Sequence, residues 1–160
     1  MRLYVLAAII GAALGLAGHA PLARAQEVVI SRSIEESHTI NPDTVERLPA
    51  VEREVSYLTV HGTEQARYTG ALLWSLLDST GVLGGDPRAR LRHSVAVTGR
   101  DGYVAVLALA EIDPEFEGKQ VLLAYRRNNQ PFSNNELRIV VPGDHRGGRS
   151  VHDVVRIELR

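Results

Sequence analysis

The sequence has 160 residues, of which 44% are hydrophobic and 23% are charged, with 18 basic residues, 19 acidic residues and no cysteine. This length and composition predict one globular domain, and they exclude a disordered chain and a scaffold held together by disulfides. The nearly balanced charge also excludes a protein that binds nucleic acid through a strongly basic surface.

Residues 1–25 have the pattern of a secretory signal peptide. Arg2 precedes an apolar run over residues 3–17, and residues 23–25, Ala-Arg-Ala, are typical of a cleavage site. The apolar run is shorter than the roughly 20 residues that a membrane-spanning helix needs. We therefore expect a periplasmic or secreted protein with no membrane span after cleavage. Its single domain would cover residues 26–160, with 16 basic and 19 acidic residues and a net charge of −3.

Short strands are predicted in the first part of this domain. The patterns favour strands over residues 28–31, 39–40 and 51–60, and we expect the last of these to be buried on both faces near its end. Between them, Asp43 is predicted to cap a short helix that reaches Leu48, because Pro49 then stops it. Residues 61–67 are predicted to form a loop.

The strongest helical pattern follows Tyr68-Thr69-Gly70. Its apolar positions recur at helical spacing, with Trp74 on one flank, and they are Leu72, Leu73, Leu76 and Leu77. After this helix, strands over residues 91–98 and 103–109 flank Asp101-Gly102, which is typical of a β-hairpin.

The rest of the chain alternates short elements with turns. Residues 110–114 are predicted to form a short helix or a turn, and residues 121–125 a buried strand. Asn128 and Asn129 tolerate the left-handed backbone that a tight turn needs. Many short strands with one main helix predict an α+β fold with a mixed, mainly antiparallel sheet.

The C-terminal segment carries the most distinctive chemistry. Strands over residues 137–141 and 154–159 flank a polar loop that we call the glycine loop, residues 144–152. Gly147 and Gly148 would permit positive φ and a close approach to a ligand. Arginine, serine and backbone N–H groups together suit a phosphate or another oxyanion. The alternative is a solvated connection between strands.

Several segments resemble the molybdopterin-binding domain of the sulfite oxidase superfamily, which includes the catalytic subunit of the periplasmic methionine-sulfoxide reductase. At the C-terminus these segments are RIVVPG (138–143), GGRSV (147–151) and VVRIEL (154–159). Tyr-Thr-Gly before the leucine helix, Asp-Gly-Tyr at 101–103 and Leu-Leu-Ala-Tyr at 122–125 are similar to earlier elements of that family, in the same order.

This resemblance implies the α+β molybdopterin-binding fold and a glycine loop that helps to hold the phosphate of the pterin. The residues that it assigns to cofactor binding are Arg138, His145, Arg149, Ser150 and His152. The family usually has Lys and an aromatic residue after the Ser-Val pair, whereas this chain has His152 and Asp153.

The resemblance also implies a metal ligand that this chain lacks. Family enzymes bind molybdenum through the pterin dithiolene and one Cys thiolate, a soft ligand, and this sequence has no Cys. The expected ligand position lies within residues 61–67, where His61 is the strongest metal-ligating residue type. His61 is therefore the metal candidate, with a surface or hydrogen-bonding histidine as the alternative.

Three functions are consistent with these observations. The first is an exported binding domain that holds a small anion or a pterin without molybdenum. The second is a molybdopterin-dependent oxidoreductase with a ligand other than Cys, and the third is a protein-interaction module in an envelope redox complex. Fold alone does not choose among them, so catalytic activity stays an open question at this stage.

Overall fold

A computed structural model describes residues 26–33, 35–84 and 86–160. These residues form ten strands and four short helices, which confirms the predicted α+β class. The strands are β1 (Val28–Ser31), β2 (Ser37–Ile40), β3 (Ala50–Thr59), β4 (Gly62–Leu72), β5 (Ser94–Gly99), β6 (Val104–Ala108), β7 (Leu122–Arg127), β8 (Gln130–Pro131), β9 (Arg138–Val140) and β10 (Val154–Leu159). The helices are α1 (Pro42–Glu46), α2 (Leu73–Ser79), α3 (Pro87–Arg90) and α4 (Leu109–Ile112).

The strands form two sheets rather than the single sheet that the sequence suggested. The first sheet has the order β2-β1-β10-β5-β6, and β1 runs parallel to β10. The second has the order β3-β4-β7-β8, and β9 also pairs with β7. The other strand pairs in the described chain are antiparallel. The architecture is therefore mixed and mainly antiparallel, as predicted.

The main hydrophobic core contains side chains from both sheets and from α2. Leu73, Leu76 and Leu77 of this helix are fully buried, and Trp74 packs against the core from its flank. These are the positions that the leucine spacing predicted. A second, smaller cluster lies on the other face of the second sheet and includes Tyr57, Tyr68, Leu122, Ala124, Phe132 and Val140. It forms the floor on which the candidate site is built.

The long hairpin of β3 and β4 corrects the predicted loop at residues 61–67. The chain turns at Val60-His61, and β4 begins already at Gly62. Burial of β3 on both faces near its end was also a wrong prediction. Tyr57 is buried, but Leu58 is 47% exposed and Val60 is 96% exposed. The alternating pattern therefore belongs to a strand with one buried face.

Two further boundaries differ from the prediction for local reasons. Helix α1 is capped by Asn41 rather than Asp43, because the Asn41 Oδ1 accepts the backbone N–H of Thr44 at 2.9 Å. Strand β5 begins at Ser94, because the preceding residues complete the turn after α3. The Asp101-Gly102 hairpin and the left-handed Asn128 and Asn129 are confirmed.

No helix among the described residues is long and apolar enough to cross a membrane. The predicted signal peptide, residues 1–25, lies outside the described residues.

Candidate functional site

The glycine loop is fixed at both ends by hydrogen bonds to neighbouring strands. The Ile139 N–H donates to the Val151 carbonyl at 2.9 Å, and the Ser150 hydroxyl donates to the Ile139 carbonyl at 2.9 Å. On the far side, the Leu58 N–H donates to the His145 carbonyl at 2.9 Å. The loop is therefore an ordered part of the fold, and the Ser150 hydroxyl already has a backbone partner.

The glycines of this loop do not have the backbone conformation that the sequence suggested. Positive φ occurs at Gly143 and at Asp153, whereas Gly147 and Gly148 belong to a single turn of 3₁₀-helix. Gly147 lies over the ring of Tyr57 instead. The prediction of positive φ at the two loop glycines was therefore wrong. The Gly147 carbonyl accepts the Ser150 N–H within the turn, and the Gly148 carbonyl accepts the Tyr103 hydroxyl.

Arg149 binds two carboxylates of the chain itself. Its Nε and Nη2 donate to the two oxygens of Asp144 at 2.8 and 2.6 Å, and its Nη1 donates to the Glu111 oxygens at 3.0 and 3.3 Å. These hydrogen bonds and charges raise the pKa of the Arg149 guanidinium. All three nitrogens bind carboxylates of the chain itself, so Arg149 connects the glycine loop to α4 and its charge is offset by two carboxylates.

Two of the predicted site residues, His61 and His152, line one groove. This open groove, which we call the turn groove, has a volume of about 530 Å³ and lies beside the β3–β4 turn. It is lined by Thr59, His61, Gly62, Thr63, Glu64, Gln65, Arg127 and His152. His145 is exposed and is not among the residues that line it.

Arg127 reaches this groove because the pairing of β7 is irregular. Ala124 lies opposite Gly70, but Arg127 lies opposite Tyr68, because the register of β4 and β7 shifts between them. Such a bulge re-aims the side chains that follow it. Paired residues share a face of a sheet, so Arg127 lies on the face of Tyr68.

Arg138 lies on the same face from the other side of β7. It pairs with Ala124, which belongs to the smaller cluster, and its guanidinium lies 4.6 Å from the ring centroid of Phe132. Its side chain is 13% exposed, and its Nη2 donates to Glu136 at 3.1 Å. Neither Arg138 nor Arg149 is among the residues that line the turn groove, but the charge of Arg138 acts on His152, which does line it.

Each of these two arginines, Arg127 and Arg138, has a buried Nε atom without a hydrogen-bond partner among the described residues. The Glu64 carboxylate forms an ion pair with the Arg127 Nη2 at 2.8 Å and accepts a hydrogen bond from the Tyr68 hydroxyl at 3.1 Å. A buried donor without a partner costs free energy. The Nε of Arg90 in α3 also lacks a partner in the described chain, and all three Nε atoms are buried, so they do not by themselves mark a ligand site.

His152 titrates in this environment. Partial burial lowers the pKa of its imidazole, and the charge of Arg138 lowers it further, against opposing effects of Glu136, Glu64 and Asp101. Near neutral pH the ring is therefore mostly uncharged. Lowering the pH below 6.5, the ordinary pKa of a histidine side chain, would add positive charge at the edge of the turn groove.

Tyr57 forms part of the floor below the glycine loop. Burial raises the pKa of its hydroxyl to about 12, although the nearby Ser150 hydroxyl opposes that effect. The buried hydroxyl oxygen makes no well-formed hydrogen bond to any described residue. Tyr57 therefore stays a neutral phenol at physiological pH.

These side chains do not fit a molybdenum centre. The sequence supplies no thiolate, and among the residues that the structure describes no group of three His, Cys, Asp or Glu side chains converges as metal ligands would. They suit the anionic part of an organic ligand better, because arginine donors and histidine are the chemistry that binds acidic groups. We therefore derive no step that passes through a metal.

Sequence reasoning missed three members of this site: Glu64, Arg127 and Tyr68. A signal for Arg127 was present, since it ends a buried strand where binding residues often lie. No sequence pattern predicts the bulge that places Arg127 on the face of Tyr68.

Comparison with known proteins identifies the family. A family model described as "oxidoreductase molybdopterin binding domain" matches residues 26–160. A search of curated proteins finds no match. Among solved structures, the chain is similar to the sulfane dehydrogenase SoxCD from Paracoccus pantotrophus, with a TM-score of 0.66 and 16% sequence identity. That match covers 83% of this chain and 37% of the other. The predicted resemblance is confirmed, and the chain belongs to the oxidoreductase molybdopterin binding domain family.

Proposed function

We propose that this protein is an exported binding domain that holds a small organic anion, such as a pterin with an acidic group, in the turn groove. In this proposal it carries out no molybdenum redox chemistry of its own. The observation that supports it best is that Arg127, His61 and His152 line one open groove, with the charge of Arg138 acting on His152. Export rests on the signal-peptide pattern of residues 1–25.

Two carboxylates balance the charges of the two arginines, so the preference for an anion depends on the N–H groups that stay free and on the charge of His152. Arg127 and Arg138 each have one carboxylate partner, Glu64 and Glu136, so the arginine donors left for a ligand are the other N–H groups of Arg127 in the groove lining. His61 and His152 add ring N–H donors at the rim. An acceptor with a delocalised negative charge would bind these donors without displacing either ion pair.

The predicted binding residues take different parts in this proposal. Arg138 and His152 keep the ligand-binding role that the resemblance implied. Arg149 and Ser150 hold the glycine loop in place. Arg127, rather than Arg149, is the second arginine that binds the ligand. His61 becomes a rim residue of the groove rather than a metal ligand.

Titration of the purified protein with pterin-6-carboxylate and with inorganic pyrophosphate tests the proposal. We expect saturable binding of at least one probe by calorimetry. Arg127→Met should weaken it about tenfold, the value of one charge-assisted hydrogen bond. Arg156→Met is the matched control, because Arg156 is exposed on β10 of the other sheet.

The same titration has a pH dependence with a defined sign. Because the pKa of His152 is lowered, its charge appears only as the pH falls below 6.5, so affinity should rise on acidification. His152→Gln should remove part of this rise. Absence of binding by both probes, or equal affinities of the wild type and Arg127→Met, would refute an anion site in the turn groove.

A further inference from the structure

Gln26 is one of the two buried polar or charged residues among those described, and it is only 6% exposed. Its side-chain Nε2 donates to the Val154 carbonyl at 2.7 Å, and its Oε1 accepts from the Arg100 Nη2 at 2.8 Å. Both ends of the amide therefore have partners in the fold. A surface glutamine before the first strand would not need this fixation.

Arg100 is itself held where it meets the amide. Its Nε donates to the Asp153 Oδ2 at 2.7 Å, and its backbone N–H donates to the Asp153 carbonyl at 2.9 Å. Asp153 has a φ of 44°, a left-handed conformation that costs energy for a residue other than glycine. This local arrangement places Arg100, in the turn between β5 and β6, beside Gln26, which precedes β1.

The predicted cleavage site gives this contact a chemical meaning. Cleavage after Ala25 would make Gln26 the first residue. An N-terminal glutamine can cyclise: its α-amino nitrogen forms a bond to Cδ, the Cδ–Nε2 bond breaks, and Nε2 leaves as ammonia with a proton from the amine. The product is pyroglutamate, and no oxidant or reductant takes part.

We propose that Gln26 is the mature N-terminal residue and that the fold protects it from cyclisation. The departing Nε2 is the donor to Val154, so the product cannot keep that hydrogen bond. Val154 is fully buried, and its carbonyl would lose this partner. Cyclisation also requires the side chain to fold back onto its own amine, away from Arg100.

The inference has a regulatory consequence. Gln26 becomes modifiable only when the contact with β10 opens, so pyroglutamate would report that the N-terminal segment had detached. It rests on the proposed export but not on anion binding. The groove that Gln26 lines and the turn groove have no lining residue in common.

Intact-mass spectrometry of the full chain, exported with its own leader, tests this inference. The mature protein should begin at Gln26 and keep its side-chain amide, so its mass should show no loss of ammonia. Incubation with added glutaminyl cyclase should convert the native protein at least about tenfold more slowly than the urea-unfolded protein, since a hydrogen bond of ordinary strength must break first. Arg100→Ala should be converted faster than the wild type in the native state, and Arg156→Ala, an exposed arginine of β10, should not.

Three outcomes would overturn it: a mature chain that begins elsewhere, equal conversion rates for native and unfolded protein, or no acceleration in Arg100→Ala. Anion titration of the same preparation is read separately. A negative titration with a protected Gln26 would reject the proposed ligand site alone, whereas an uncleaved leader would reject export.

Discussion

Arg149 shows how a residue of a binding motif can be used for structure. Asp144 lies five residues away in the same loop, and Glu111 lies 38 residues away in α4. Glu111 also accepts the Ala108 N–H at 3.0 Å, which caps α4, and lies 3.8 Å from the Lys119 ammonium. The carboxylate therefore links three segments of the chain, and its ionisation state affects all of them.

Glu111→Gln should destabilise the protein in a pH-dependent way. Burial opposes ionisation of Glu111, but hydrogen bonds from Arg149 and Ala108, with the charges of Arg149 and Lys119, outweigh burial and lower its pKa. A carboxyl with a lowered pKa contributes stability above its unfolded pKa of 4.5, and this contribution is lost as the pH falls through the folded value.

Urea unfolding at about pH 7 and about pH 3 measures this effect. We expect Glu111→Gln to cost about 1 kcal/mol near neutral pH, discounted for the partial exposure of the pair, and much less in acid. Glu117→Gln is the control, because Glu117 is exposed and contacts Lys119 at 3.4 Å. A cost that is equal at both pH values would show that the charge of Glu111 does not matter.

At the scale of the element, the contact between β4 and β7 depends on one glycine. A Cβ at Gly70 would lie 2.5 Å from the Ala124 Cα and would overlap the Leu123 carbonyl oxygen. These are backbone atoms of a buried strand, so they cannot move aside as a flexible side chain can. The same short segment contains the register shift that directs Arg127 to the turn groove.

Gly70→Ala should therefore destabilise the protein by about 3 kcal/mol. It should also reduce anion affinity in the protein that stays folded, because the shift that positions Arg127 adjoins Gly70. Gly148→Ala is the matched control, since a Cβ added at Gly148 would meet no atom within 4 Å and the φ of this residue is not positive. Equal urea midpoints for the two variants would disprove a steric role for Gly70.

Local patterns predicted the elements better than the contacts between them. The spacing of Leu73, Leu76 and Leu77 predicted α2, and Asp101-Gly102 predicted the β5–β6 hairpin, because both depend on neighbouring residues. The pairing of Arg149 with Glu111 depends on how distant segments pack. No period in the sequence encodes it, so the sequence predicts a free arginine in the glycine loop where the structure has an ion pair.

At the scale of the whole molecule, the family fold is present without the residue that would bind its metal. The chain matches the family over residues 26–160, and its match to a solved chain of SoxCD covers 37% of that chain. Since a soft metal favours thiolate ligands, the absence of Cys from the sequence is a chemical difference rather than a difference of shape. Binding of a pterin and binding of molybdenum can therefore be separated experimentally.

Elemental mass spectrometry and pterin fluorescence on one sample of protein exported in a molybdenum-replete host make this separation. We expect molybdenum far below stoichiometric, because His61 stands on an exposed turn and only His152 and Glu64 line the same groove as other ligand types. Released pterin without metal would support a binding or carrier role.

The decisive control is His61→Ala: stoichiometric molybdenum in the wild type that is lost in this variant would make the protein an oxidoreductase with a histidine ligand. Absence of both pterin and metal would instead favour the protein-interaction module, and capture of an envelope partner would then be the measurement that distinguishes a retained fold from a retained function.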